Sequence, residues 1–190
     1  MAHRLPSFAA LVIALAVAGC AGRSPASALP TRPGPSVGWF AVSSGNADLR
    51  LTLPPWLVPF VMSGAIFANE LPPTPGSEDW LELLAEGPAT AAPQPAAGQS
   101  LQQWLEARLE SPNRGPVSVR TVALPAGSAV ELSVVMGEGT SLERRFLAFA
   151  IQAPAGVAYL LVDGPPAAWV GREADVALIP MLAEVLPPPH

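Results

Sequence analysis

Four apolar runs separated by turn residues, all within residues 117–163, constrain the fold more than any other feature of this chain. Residues 117–124 lead into Pro125, Ala126 and Gly127. Residues 129–136 then place Val130, Leu132, Val134 and Met136 on one face and Glu131 and Ser133 on the other, the two-residue period of a strand. Gly137, Glu138, Gly139 and Thr140 supply a hairpin turn. Residues 142–152 return with Leu147, Phe149 and Ile151 directed to the core, and residues 157–163 are apolar enough for a central strand. Strands at this spacing pair with their sequence neighbours, so an antiparallel meander is expected.

The upstream half adds shorter elements. Residues 37–42 and the alternating Leu49, Leu51 and Leu53 form a hairpin across the turn residues Gly45 and Asn46, and Pro54 and Pro55 stop its second strand. Residues 57–62 and 65–69 read as one bent apolar strand interrupted by Ser63 and Gly64. Residues 71–78 are a proline-rich loop. Residues 80–86 suit a strand, although Glu78, Glu82 and Glu86 recur every four residues as on one helix face. After a Pro/Ala loop at 87–98, Ser100 and Gln103 form a capping box. They open a helix to about Ser111, with Leu101, Trp104, Leu105 and Leu109 on one stripe. Residues 174–186 predict a nearly all-apolar helix capped by Asp175, in which Pro180 implies a kink or a late start. Helices segregated from an antiparallel sheet make this an α+β chain.

The N-terminus predicts where the domain lives. An apolar run at 5–17 is too short to span a bilayer of about 30 Å but suits a signal peptide. It ends in Val17, Ala18, Gly19 and Cys20, which resembles the bacterial lipobox. The expected division is a signal at 1–19, the lipidated Cys20 with a Pro-rich spacer to residue 36, and one domain at 37–190. Acyl chains on Cys20 would anchor an exported polypeptide durably without a membrane span. Cys20 is the only cysteine, so no intramolecular disulfide holds the fold. Ala21 follows it where lipoproteins retained at the inner membrane carry aspartate. The expected location is therefore the periplasmic face of an outer membrane, or the outer face of the cell membrane where there is only one. With 16 glycines and 24 prolines in 190 residues, the chain stays below the roughly 25–30% at which disorder becomes the default.

The Leu53 to Trp56 segment, the helix containing Ser100, Leu101 and Trp104, the Leu124 to Gly127 lead into the meander, and the closing helix with its internal proline together resemble a known family. They are similar to the PsbP-type α/β/α sandwich of LpqN-like bacterial lipoproteins, over most of residues 37–187. The resemblance implies a compact, non-catalytic accessory or binding module and transfers no functional residue.

Little in the sequence points to catalysis. Gly34, Pro35, Ser36, Val37 and Gly38 match G-x-S-x-G, but a nucleophile elbow needs a preceding strand, a following helix and a histidine. The two histidines, His3 and His190, lie at the extremes of the chain. No general base of that kind, zinc site or cofactor is expected. The acidic cluster Glu78, Asp79, Glu82 and Glu86 reads as a solvated face rather than a cation site. Glu131 and Arg144 are expected to meet diagonally across their hairpin. Ten arginines, no lysine and a net charge of −5 disfavour nucleic acid as a partner.

Trp39 and Trp104 read as core residues. Trp56, Trp80 and Trp169 fall beside loops and are the candidate ligand-binding residues. The sequence thus predicts a monomeric, membrane-anchored binding or scaffold module for an envelope protein or glycan. Two alternatives stand beside it. A carboxylate-dependent glycan hydrolase would need convergent acids among Glu78, Glu82, Glu131, Asp163 and Asp175. A carrier of an apolar small molecule would need a pocket of at least about 300 Å³ between sheet and helix.

Overall fold

The computed structural model describes residues 32–70, 79–109 and 114–187. Strands β1 (Phe40–Ser43) and β2 (Leu49–Leu53) form the expected hairpin, with Phe40 opposite Leu53. Leu49, Leu51 and Leu53 are buried, while Arg50 between them is exposed, as alternation requires.

The next segment departs from expectation. It is two antiparallel strands, β3 (Leu57–Met62) and β4 (Ala65–Glu70), and not one bent strand. Ser63 and Gly64 both take positive φ, 52° and 86°. Two successive left-handed residues make a primed turn, whose twist matches paired strands and reverses the chain. Strand β5 (Glu82–Glu86) settles the choice for residues 80–86, since it buries Leu83 and Ala85 with a period of two.

Helix α1 (Leu101–Arg108) carries the capping box of Ser100 and Gln103. It ends at Arg108 rather than near Ser111, with the Leu109 N–H donated back to Glu106. The meander follows as β6 (Arg114–Leu124), β7 (Gly127–Met136), β8 (Arg144–Ala153) and β9 (Gly156–Gly164). Gly127, at φ 151°, fits because a Cβ there would lie 2.0 Å from the Gln152 carbonyl oxygen.

A short helix α2 (Pro166–Trp169) and helix α3 (Glu173–Leu182) come next. Asp175 does not cap α3. The cap position is Arg172, without a side-chain bond, and Asp175 lies inside the first turn. Nor does the helix reach residue 186. Pro180 sits in its last turn, where it lacks the N–H that would bond to Val176, and Ala183 is already extended. Glu184–Val185 then forms a two-residue strand, β10, paired with β2.

The large sheet has the order β3-β4-β5-β9-β8-β7-β6 and the small one β1-β2-β10, with antiparallel neighbours throughout. Strand β9 is central, as its apolar sequence requires. One face of the large sheet packs Ile66, Leu83, Leu160 and Phe149 against the small sheet, α2 and α3. On the other face, α1 buries Trp104, Leu105 and Leu109 against Leu132, Val134, Ala148 and Tyr159. The result is a three-layered α+β sandwich.

One buried acid ties the layers' loops together. The Asp48 carboxylate, 1% exposed, accepts bonds from Ser44 Oγ at 2.7 Å and from the Ala89 N–H at 2.7 Å, while its backbone carbonyl accepts the Leu186 N–H. Gly87 is glycine because a Cβ there would meet Asp48 Oδ1 at 2.2 Å.

Candidate functional site: an apolar groove beside α3

The even positions of β6 turn Arg120, Val122 and Leu124 toward the α3 side of the sheet, and Leu147 and Phe149 on β8 share that face. Across from them, α3 presents Ala177, Pro180 and Met181. Between these walls lies an open groove of about 320 Å³. Leu124 and Phe149 are buried and form the floor, Val122, Leu147 and Met181 are half-buried, and Ala177 is exposed. Apolar side chains at an opening of this size are what a small apolar ligand needs.

The polar rim is one ion pair. Arg120 and Glu131 are direct cross-strand partners, joined by Nε to Oε1 and Nη2 to Oε2, both at 2.7 Å. The hydrogen bond to Glu131, and then its charge, raise the Arg120 pKa above its ordinary value. The anticipated contact between Glu131 and Arg144 is not made. Glu131 stands opposite Phe149 on β8, and Arg144, five residues away, projects to the other face with Met136.

Arg144 instead gathers Glu82, at 3.0 Å, and Asp163, at 2.7 Å, which are themselves register partners on β5 and β9. Burial pushes the Asp163 carboxyl upward, opposed by its bond to Arg144 and by that charge. A smaller, more polar depression of about 250 Å³ lies beside Arg144, lined by Asp79, Ser141, Leu142, Glu143 and Pro165. Glu82 and Asp163 therefore converge, but on a guanidinium that binds both. Glu86 pairs with Arg108, and burial raises its pKa while Arg108 lowers it. Glu131 and Asp175 face other partners, and Glu78 lies outside the described residues. Among the described residues no group of three His, Cys, Asp or Glu side chains is placed to hold a metal.

The tryptophans singled out in the sequence do not line the groove. Trp169 is in the core, 4% exposed, donating Nε1–H to the Gly164 carbonyl at 3.2 Å. Trp56 is half-buried, with Nε1–H on Asp175 Oδ2 at 2.8 Å and the Arg172 guanidinium 4.8 Å above its ring. Arg172 also binds Glu70 at 2.7 Å. Trp80 is half-buried and donates to Glu82 at 3.3 Å. Trp104 is buried, as the helical stripe implied, and Trp39 packs partly buried against the core. Cys20 lies outside the described residues. The segment 32–39, which holds the G-x-S-x-G match, is irregular chain leading into β1, without the strand and helix an elbow requires.

The groove itself escaped the sequence. Its walls come from two strands and a helix that are distant from one another in the chain, a juxtaposition that no local pattern encodes. The one partial signal was the alternation that put Leu147 and Phe149 on a single face.

No family model matches the chain, and no curated protein matches it either. Among solved structures it is similar to the solution structure of cyanobacterial PsbP (CyanoP) from Synechocystis sp. PCC 6803. The TM-score is 0.50 at 10% identity, over 80% of this chain and 97% of that one. At that identity the likeness speaks for architecture alone: the chain has a PsbP-like α+β sandwich fold.

Proposed function

We propose that this chain is an exported bacterial lipoprotein of the LpqN-like kind, anchored through acylated Cys20, whose folded body is a non-catalytic binding module for an apolar small molecule or chain. The observation that carries the reading is the groove between α3 and the meander, with a floor of Leu124 and Phe149 and a volume of about 320 Å³. The signal-like run and lipobox support export and anchoring, and the Pro-rich spacer supports a domain standing off the lipid. Among the described residues, the carboxylates a glycan hydrolase would use, Glu82, Asp163, Glu131 and Asp175, are held by Arg144, Arg120 and the Trp56 indole.

The test uses the full chain carrying Cys20→Ser, which should move from the membrane to the soluble fraction. Titrated with N-phenyl-1-naphthylamine, it should show saturable fluorescence at one site, displaced by a long-chain fatty acid. Absence of saturable binding would end the groove reading, and unchanged membrane retention would end the anchoring one.

A further inference from the structure

We infer that the occupant of the groove is an acyl chain of a lipid from the membrane in which the protein is anchored, delivered there because Arg32 fastens the tether beside the groove. This rests on the reading of the groove as an apolar binding site.

The Arg32 guanidinium binds the Glu184 carboxylate and donates a second bond, at 2.9 Å, to the carbonyl of Ala183. Ala183 follows α3 directly, and Met181 and Pro180, two and three residues before it, line the groove. The tether is thus stapled to the end of the helix that forms one groove wall. It is not left free as far as β1.

The staple changes how far the groove can stand from the lipid. Twelve residues separate Cys20 from Arg32, about 37 Å at roughly 3.1 Å per residue of extended chain. Twenty separate Cys20 from Phe40, where β1 begins, or about 62 Å on the same scale. Fastening at Arg32 therefore removes about 25 Å of reach. It also selects the α3 end, rather than the β1 strand, as the part of the fold held toward the bilayer.

An apolar groove held there meets acyl chains at far higher local concentration than any free apolar solute, the effective-concentration advantage of a short tether. The opening is of a size for a single chain rather than a whole bilayer lipid, so headgroups would stay at the rim. There, Arg120, whose side chain is 68% exposed, stands with Glu131.

The experiment uses the acylated full chain purified from membranes and reconstituted in phosphatidylcholine vesicles that contain a pyrene-acyl phospholipid. Loading of a pyrene chain into the groove is read as loss of excimer emission and gain of monomer emission. Wild type should load. Arg32→Ala and Glu184→Gln should load about fivefold more slowly, the population change expected for losing an exposed ion pair. Both should bind a dansylated undecanoic acid from solution with unchanged Kd.

Equal loading rates in wild type and both variants would overturn the role of the staple. No loading in any of them, with the dansyl probe still binding from solution, would overturn the membrane source while leaving the groove reading standing. Failure to bind the dansyl probe would remove both, and a purified chain lacking acyl groups on Cys20 would overturn the membrane source.

Discussion

Filling the groove from within should weaken binding without harming the fold, and Ala177→Trp is the variant to use. Ala177 is exposed on the α3 wall, so a larger side chain there has open space to enter instead of a packed core to disturb. A tryptophan side chain buries about 150–250 Å² when fully enclosed, and a groove open on one side covers roughly half of that. At about 25 cal/mol per Å², some 100 Å² of apolar contact amounts to about 2.5 kcal/mol. Fixing the indole costs about 0.5–1 kcal/mol of rotamer freedom, which leaves about 1.5–2 kcal/mol that a ligand must overcome. The expected result is a 10- to 30-fold rise in Kd for the naphthylamine probe, at 1.4 kcal/mol per tenfold, with Tm unchanged or slightly raised. Ala177→Ser should bind within about twofold of wild type, since it adds no bulk. Val122→Trp enters the same space from β6 and should act likewise. If both tryptophan variants fold and still bind the probe as wild type does, the groove is not where the ligand sits.

Three further outcomes follow from the packing. Tyr159 is the only tyrosine, and burial, partly offset by the Arg108 charge, pushes its phenol up to about 12, so absorbance at 295 nm should show no ionisation through pH 10–11. A midpoint near 10 would contradict its place beneath Trp104 and Arg108. Gly87→Ala would drive a Cβ into the buried, twice-bonded Asp48 carboxylate and should cost more than about 2 kcal/mol in urea unfolding; a loss under about 0.5 kcal/mol would mean the two loops are not in contact. Asp163 has its folded pKa raised by burial, so the folded state keeps a proton that the unfolded chain releases. Its contribution is therefore fully present below the ordinary carboxylate range and lost as pH rises through the raised value. Asp163→Asn should gain stability relative to wild type between pH 3 and pH 7, and the opposite slope in denaturant titrations would refute the burial argument.

The meander was legible because its code is local. Val130, Leu132, Val134 and Met136 alternate with polar residues, short turns follow, and the four strands pair in sequence order. The capping box of α1 was legible for the same reason, since Ser100 and Gln103 satisfy each other within one turn. Where two local codes competed, sequence reading failed. Ser63 and Gly64 lack the Asn-Gly signature, so a hairpin looked like a bend. The apolar run after Ala174 carries no polar face, so nothing in it marked where helix gives way to β10. Asp175 has the chemistry of a cap, but its carboxylate is taken by Trp56, which is 119 residues distant in the chain. Nothing local marks the role of Asp48, because its partners in the 87–98 loop and at Leu186 are tertiary. The groove belongs with these, since it exists only once β6, β8 and α3 are assembled.

The early end of α3 brings the groove wall, the small sheet and Arg32 together. Had the apolar run continued as helix through residue 186, Glu184 would sit on a helical turn, and neither the pairing of Glu184 with Arg50 nor the bond from the Leu186 N–H to Asp48 could form. Pro180 leaves a missing backbone bond in the last turn, which weakens the helix where it must stop, and the extended Ala183 then turns its chain toward β2. That turn leaves the Ala183 carbonyl without a helical partner of its own and places it beside the Glu184 carboxylate, where the Arg32 guanidinium takes both. The same few residues therefore wall the groove with Pro180 and Met181, extend the small sheet with Glu184 and Val185, and receive Arg32. On the proposed reading, groove and tether meet at this single helix terminus, so loosening the contact there should slow the arrival of a membrane lipid while leaving the groove's own affinity unchanged.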